Sequence, residues 1–208
     1  TRLDDPDDLL LERSGAPVCD EDEIMVVDDD GREVADGEAG ELVTRGPYTI
    51  RGYYNAPDRN AEAFLPGGWY RMGDVVRRSG RYVYTEGRRK DMINRGGEKI
   101  SCEEIENLIL AHEKVQMVAV VAMPDPVMGE RSCAFVIPKA NASLSLVELN
   151  EFLRARKIAK FKVPARLAMV QSFPCTAMGK VSKKALREEI AAKVQAESGA
   201  GGAPPRGA

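Results

Sequence analysis

EGRRKDMINRGGEKISCEEIE, residues 86–106, is the stretch on which the reading of this chain turns. It opens with Gly87-Arg88-Arg89-Lys90-Asp91, a charged punctuation mark after a β-type run. Asn94-Arg95-Gly96-Gly97-Glu98 comes next as a glycine turn, because glycine permits positive φ and close backbone approach. Ser101-Cys102-Glu103-Glu104 then forms a capping box, in which the Ser accepts from the third helical amide and the Glu can reach back. The residues before this stretch are rich in β patterns, and those after it alternate helix with strand. It therefore reads as a joint between two domains.

Upstream, residues 1–22 are acidic and patternless, which suits a surface connection. Glu23–Val27 is a short apolar run ended by the turn sequence Asp28-Asp29-Asp30-Gly31. An EF-hand loop would need Gly sixth and Glu twelfth. With Gly31 sixth, the twelfth residue is Gly37, so a hairpin turn is expected there and not a calcium loop. Residues 40–44 and 50–54 read as strands on either side of Gly46-Pro47. Residues 69–77 and 81–85 read as a hairpin across Arg78-Ser79-Gly80, with aromatic and β-branched residues suited to a pleated surface. Residues 1–89 are thus expected to form an antiparallel β subdomain.

Downstream, Ile105, Leu108 and Ile109 recur at helical spacing in a helix ending near His112. Residues 117–122 and 132–138 are continuous apolar strands, and residues 166–170 a third. Ser145 and Glu148 make a second capping box, for a helix that turns Leu149, Phe152 and Leu153 inward. Leu186, Ile190 and Val194 line a last helix. Residues 90–195 are expected to be a small α+β domain, so the fold class is α+β throughout. The Gly-, Ala- and Pro-rich residues 196–208 have nothing to bury and are expected to be a disordered tail.

Composition narrows the function. The 208 residues are 43% hydrophobic with mixed charge, the profile of a soluble globular protein. Thirty basic residues against 33 acidic ones, a net charge of −3, give no electrostatic case for nucleic acid. No run approaches the roughly eighteen apolar residues of a membrane span, and no secretory signal pattern opens the chain. Cys19, Cys102, Cys133 and Cys175 are scattered without a CxxC pair, which fits a reduced, cytoplasmic protein and no protein metal site. His112 stands alone, so no Ser-His-Asp or Cys-His set competes for a catalytic role. Gly179-Lys180-Val181-Ser182 is not a phosphate-binding P-loop, because the earlier Gly and the following Ser/Thr are wrongly spaced.

Residues 87–106 resemble the linker-and-loop motif of the adenylate-forming (AMP-binding) superfamily, and most of all that of the aryl acid–AMP ligases of siderophore biosynthesis. Three further segments match that family in order: GELVTRGPYTIRGYY from Gly40 to Tyr54, Trp69-Tyr70-Arg71-Met72-Gly73-Asp74, and Pro174-Cys175-Thr176-Ala177-Met178-Gly179-Lys180. The opening Thr1-Arg2-Leu3-Asp4-Asp5-Pro6 agrees as well. The resemblance implies that residues 1–89 end the large AMP-binding domain and that residues 90–195 are its small mobile C-terminal domain. It also implies an ATP-dependent ligase, with Mg2+ accompanying the ATP. Such a ligase adenylates an aromatic acid, 2,3-dihydroxybenzoate or salicylate, and transfers the aryl group to the phosphopantetheine of an aryl carrier protein. The family's phosphate loop and acyl pocket would precede Thr1, so this chain is expected to be a C-terminal fragment inactive by itself. A fragment of an acyl-CoA synthetase and a non-catalytic carrier-protein docking module are the alternatives; Lys90, where other members have Asp, argues against the first.

The same resemblance assigns roles. Asp74 matches the carboxylate that grips the ribose hydroxyls, although without the other motifs it reads more readily as a turn Asp capping a strand. Arg88 matches the ribose-contacting Arg, while Arg89 is expected to face solvent. Lys90 matches the hinge position, Gly97 lines the pantetheine tunnel, and Lys99 is a candidate phosphate contact. Lys180 matches the C-terminal catalytic Lys. Without the match, Arg88–Lys90 would read as an exposed basic run and Lys180 as a solvated loop residue.

Overall fold

The computed structural model of the chain describes residues 14–200. The expected surface connection over residues 1–13 and the end of the expected tail lie outside those residues. The chain divides into two compact units, one ending at Lys90 and the next beginning at Asp91.

The first unit is an antiparallel sheet of β1 (Glu23–Val27), β2 (Ala39–Arg45), β3 (Phe64–Leu65), β4 (Trp69–Ser79) and β5 (Tyr82–Arg88), with one short helix, α1 (Pro57–Ala63). The order is β1-β2-β4, and β3 and β5 share the far edge of β4. Val26, Val27, Val43, Val75 and Val76 are its buried hydrophobic residues, all β-branched as a pleated core favours. The acidic turn after β1 is closed by Asp28, whose carboxylate accepts from the Asp30 and Arg32 amides at 2.9 and 2.8 Å.

Residues 50–54 are not a strand. The Asn60 side chain takes over the hydrogen bonds a ladder would make: its Oδ1 accepts from the Tyr53 amide at 2.7 Å and its Nδ2 donates to the Tyr53 carbonyl at 2.9 Å. Asn60 lies on α1, which has Pro57 in its first turn followed by Asp58, both good helix starters.

The second unit contains β6 (Met92–Arg95), β7 (Glu98–Ser101), α2 (Cys102–Leu110), β8 (Val115–Asp125), β9 (Gly129–Pro138), α3 (Leu146–Ala155), β10 (Arg166–Met169) and α4 (Lys183–Ala200). β8 lies antiparallel to β9, and β10 lies parallel to it. β6 joins the sheet through the Arg95–Gly129 pair, with β7 outside it. Both faces of the sheet are covered. Val120, Ala134 and Val136 pack with Ile105, Ile109, Leu149 and Leu153 of α2 and α3. Ala119, Val121, Cys133 and Phe135 pack with Leu186 and Ile190 of α4. A strand buried on both sides has no polar face, so the middle of β8, residues 117–124, and the end of β9, residues 133–138, read as unbroken apolar runs.

Both helix caps form as expected: Ser101 Oγ accepts from the Glu104 amide at 3.3 Å and Ser145 Oγ from the Glu148 amide at 3.2 Å. The two Glu carboxylates serve tertiary ion pairs, with Lys162 and Lys114. α4 continues to Ala200, past the expected start of the tail at residue 196.

Candidate functional site

Asp74 owes its position to an irregularity in β4. Opposite β2, Val43 pairs with Arg71 but Glu41 pairs with Val75, so Met72, Gly73 and Asp74 together face Leu42. Such a bulge bends the strand and re-aims its side chains. Gly73 carries the bend at φ +74°, and nothing lies within 4 Å of where its Cβ would be. Across the hairpin, Asp74 pairs in register with Arg88, and Arg88 Nε meets Asp74 Oδ1 at 2.7 Å. The Asp74 side chain is 23% exposed and that of Arg88 57%, so both are reachable from solvent.

Arg88, Arg89, Lys90 and Gly73 line a hollow of about 490 Å³. Arg89 is exposed, as expected, and is also ion-paired. It reaches back to Glu41 Oε2 at 2.7 Å and to Asp29 Oδ1 at 3.3 Å. Glu41 is buried on β2 and is shared with Arg71, so a carboxylate hidden from water is neutralised by two guanidinium groups. Arg89, Lys90 and Asp91 form a single 3₁₀ turn. Lys90 is exposed, and its neighbour Asp91 is bonded to Arg187 of α4 at 2.9 Å.

Gly96 and Gly97 are the two-residue loop of the β6–β7 hairpin, with φ of +60° and +95°. Positive φ at both loop positions is what a tight hairpin with the correct twist demands. The Gly96 amide donates to the Met128 carbonyl at 2.8 Å and the Gly97 amide to Asn94 Oδ1 at 3.0 Å. Space beside Gly97 is open to at least 4 Å. Lys99, exposed on β7, pairs in register with Asn94.

Lys180 sits on a small knotted turn ahead of α4. The Thr176 amide donates to the Lys180 carbonyl at 2.7 Å, the Lys180 amide donates to Thr176 Oγ1 at 3.3 Å, and the Ser182 amide donates to the Pro174 carbonyl at 2.7 Å. Gly179, at φ +77°, makes the reversal possible. The Lys180 side chain is exposed, and its ammonium meets no partner among the described residues. Asp74 and Arg88 are thus joined by a bond, and Gly97 and Lys99 share one hairpin. Lys180 stands on a separate loop of the second unit.

The chain matches the AMP-binding enzyme family over residues 1–54 and the AMP-binding enzyme C-terminal domain over residues 104–180. It is 54% identical to the 2,3-dihydroxybenzoate-AMP ligase of Bacillus subtilis over 94% of its own length and 36% of that protein's. It is 53% identical to pyochelin synthase PchD of Pseudomonas aeruginosa over 95% of its length and 36% of PchD. The chain belongs to the adenylate-forming, AMP-binding superfamily. Its fold agrees. The ATP-bound crystal structure of MatB from Rhodopseudomonas palustris superposes with a TM-score of 0.75 at 31% identity, over 84% of this chain and 35% of MatB. The chain spans about a third of the length of the curated relatives it matches. No helix among its described residues is long and apolar enough to cross a membrane. Two features of the chain are hidden from sequence reasoning: the Arg71–Glu41–Arg89 cluster and the Asp91–Arg187 pair. Their partners lie 30, 48 and 96 residues apart, and no local pattern marks them.

Proposed function

We propose that this chain is the C-terminal part of an ATP-dependent ligase that adenylates an aromatic acid, 2,3-dihydroxybenzoate or salicylate. The aryl group then passes to the phosphopantetheine of an aryl carrier protein, in siderophore biosynthesis and in the cytoplasm. The observation that carries this reading is the 54% identity to a 2,3-dihydroxybenzoate-AMP ligase along nearly the whole chain. The donor set around the hollow fits a nucleotide. Asp74 is a solvent-reachable carboxylate able to accept from two ribose hydroxyls, and Arg88 offers a rigid, always-charged fork to ribose and phosphate oxygens. ATP, with Mg2+ on its phosphates, is the cosubstrate.

Lys180 stabilises the first step. Its ammonium, on a long stem and without a partner among the described residues, meets the negative charge that builds as the aryl carboxylate attacks the α-phosphorus and pyrophosphate leaves. Lys99 is a second phosphate contact. Lys90 then absorbs the backbone rotation between the two half-reactions. Gly97, with no side chain and open space beside it, lets the pantetheine arm pass close to the backbone while its thiol takes the acyl group and AMP departs.

The test joins this chain to the N-terminal region of the B. subtilis 2,3-dihydroxybenzoate-AMP ligase. Pyrophosphate exchange dependent on 2,3-dihydroxybenzoate or salicylate is expected from the joined protein and not from the chain alone. Aryl thioester should accumulate on a carrier protein. A folded joined protein, checked by circular dichroism, that lacks exchange with either acid would overturn the reading, and transfer to coenzyme A alone would overturn the carrier-protein part.

A further inference from the structure

Lys90 lies between two residues that are each tied into their own unit. On one side Arg89 is bonded to Glu41, which is 6% exposed and held also by Arg71. Glu41 is rooted in β2, two residues from the fully buried Val43. On the other side Asp91, 18% exposed, is bonded to Arg187. Arg187 adjoins Leu186, which is locked into the core beneath β8 and β9. We infer that Glu41 and Arg187 are positioning residues that anchor the backbone on either side of Lys90, confining its rotation to the single 3₁₀ turn Arg89–Asp91. The inference rests on the hinge role proposed for Lys90.

The physical reason is desolvation. Swinging Arg89 away would strip one of two cations from a carboxylate that water does not reach, and a buried charge left short of partners is strongly unfavourable. The half-buried Asp91 resists displacement for the same reason, more weakly. Lys90 is exposed, and water readily replaces whatever an exposed ammonium meets, so torsional change collects there. A sharp joint turns a small unit as a rigid body, whereas a loose segment would let it wander among many orientations, few of them productive.

Backbone ¹⁵N order parameters of the complete chain test this residue by residue. In the wild type, Arg89 and Asp91 should sit near the rigid value of about 0.85. Glu41→Gln should drop Arg89 below about 0.6 and leave Asp91 rigid, and Arg187→Met should do the reverse. If either variant fails to fold, Arg89→Gln and Asp91→Asn remove the same bonds from their more exposed ends. Flanks that stay rigid in the variants would overturn the inference. So would loosening of both flanks and the surrounding strands together, which marks plain destabilisation. Because this measurement needs no turnover, order parameters that respond as stated while the joined protein makes no aryl-adenylate would sink the ligase reading and leave the anchored joint standing.

Discussion

Replacing Lys180 by alanine should slow acyl-adenylate formation at least about a hundredfold, roughly 2.7 kcal/mol of transition-state stabilisation, the usual loss for one electrostatic contact to developing charge. The structure adds a second half to this expectation. Lys180 is exposed and partnerless among the described residues, so its side chain contributes nothing to folding, and the variant's stability should lie within about 0.5 kcal/mol of wild type. Three residues on, Lys183 is the internal control. Its Nζ lies 2.7 Å from Glu106, whose carboxylate also accepts from the Val120 amide at 2.6 Å and is largely shielded from water. Lys183→Ala leaves that carboxylate short of a cation and should cost about 1–3 kcal/mol of stability, with adenylation little changed. The assay is pyrophosphate exchange in the protein joined to the B. subtilis N-terminal region, beside single-turnover thioester formation from pre-made aryl-AMP, which Lys180→Ala should leave far less affected. Exchange near wild type in Lys180→Ala would refute the catalytic assignment. A thermal midpoint lowered as much as in Lys183→Ala would show that Lys180 acts through the fold.

Lys90→Pro should preserve adenylation while slowing transfer to the carrier protein at least about tenfold, because a ring-locked φ suits a 3₁₀ turn but opposes rotation; equal loss in both steps would refute the hinge. Burial pushes the Glu106 carboxyl above its ordinary 4.5, against the opposing pull of Lys183. The native state therefore takes that proton more readily than the unfolded chain does, and the resulting stability is present below the ordinary value and lost as pH rises through the raised one. Calorimetry from about pH 4 to about pH 7 should show wild type losing ground to Glu106→Gln, and a gap moving the other way would contradict the burial argument. Burial also pushes the Cys102 and Cys133 thiols up to about 12, so iodoacetamide at about pH 8 should label them at least about a hundredfold more slowly than exposed Cys175. Peptide mass spectrometry reads the rates, and equal labelling of Cys133 and Cys175 would show that β9 opens readily.

Much of this fold is legible in the sequence because its causes are local. Ser101 and Ser145 cap their helices through amides three residues ahead, so the capping box can be read without any tertiary knowledge. Gly96-Gly97 fills a loop whose two positive φ values few other residues accept. The unbroken apolar runs within β8 and β9 announce a sheet covered on both faces. Asp74, Arg88, Lys90, Gly97, Lys99 and Lys180 are likewise legible as candidates from ordered motifs alone.

The failures have a common cause. Residues 50–54 carry strand-forming side chains, but the Asn60 amide claims the Tyr53 backbone, so no ladder forms. The outward presentation of Asp74 depends on a register shift against β2, which exists only once β2 and β4 have paired. Arg89 is exposed, as a basic run suggests, but its ion pair with Glu41, 48 residues away, cannot be read before folding. A cap or a tight turn is written in neighbouring residues, whereas an ion pair across strands is set by which surfaces the core draws together. The sequence by itself thus marks candidate residues for nucleotide chemistry and a joint near Lys90. Only the tertiary structure decides which of those charges are held by a buried partner and which stay exposed.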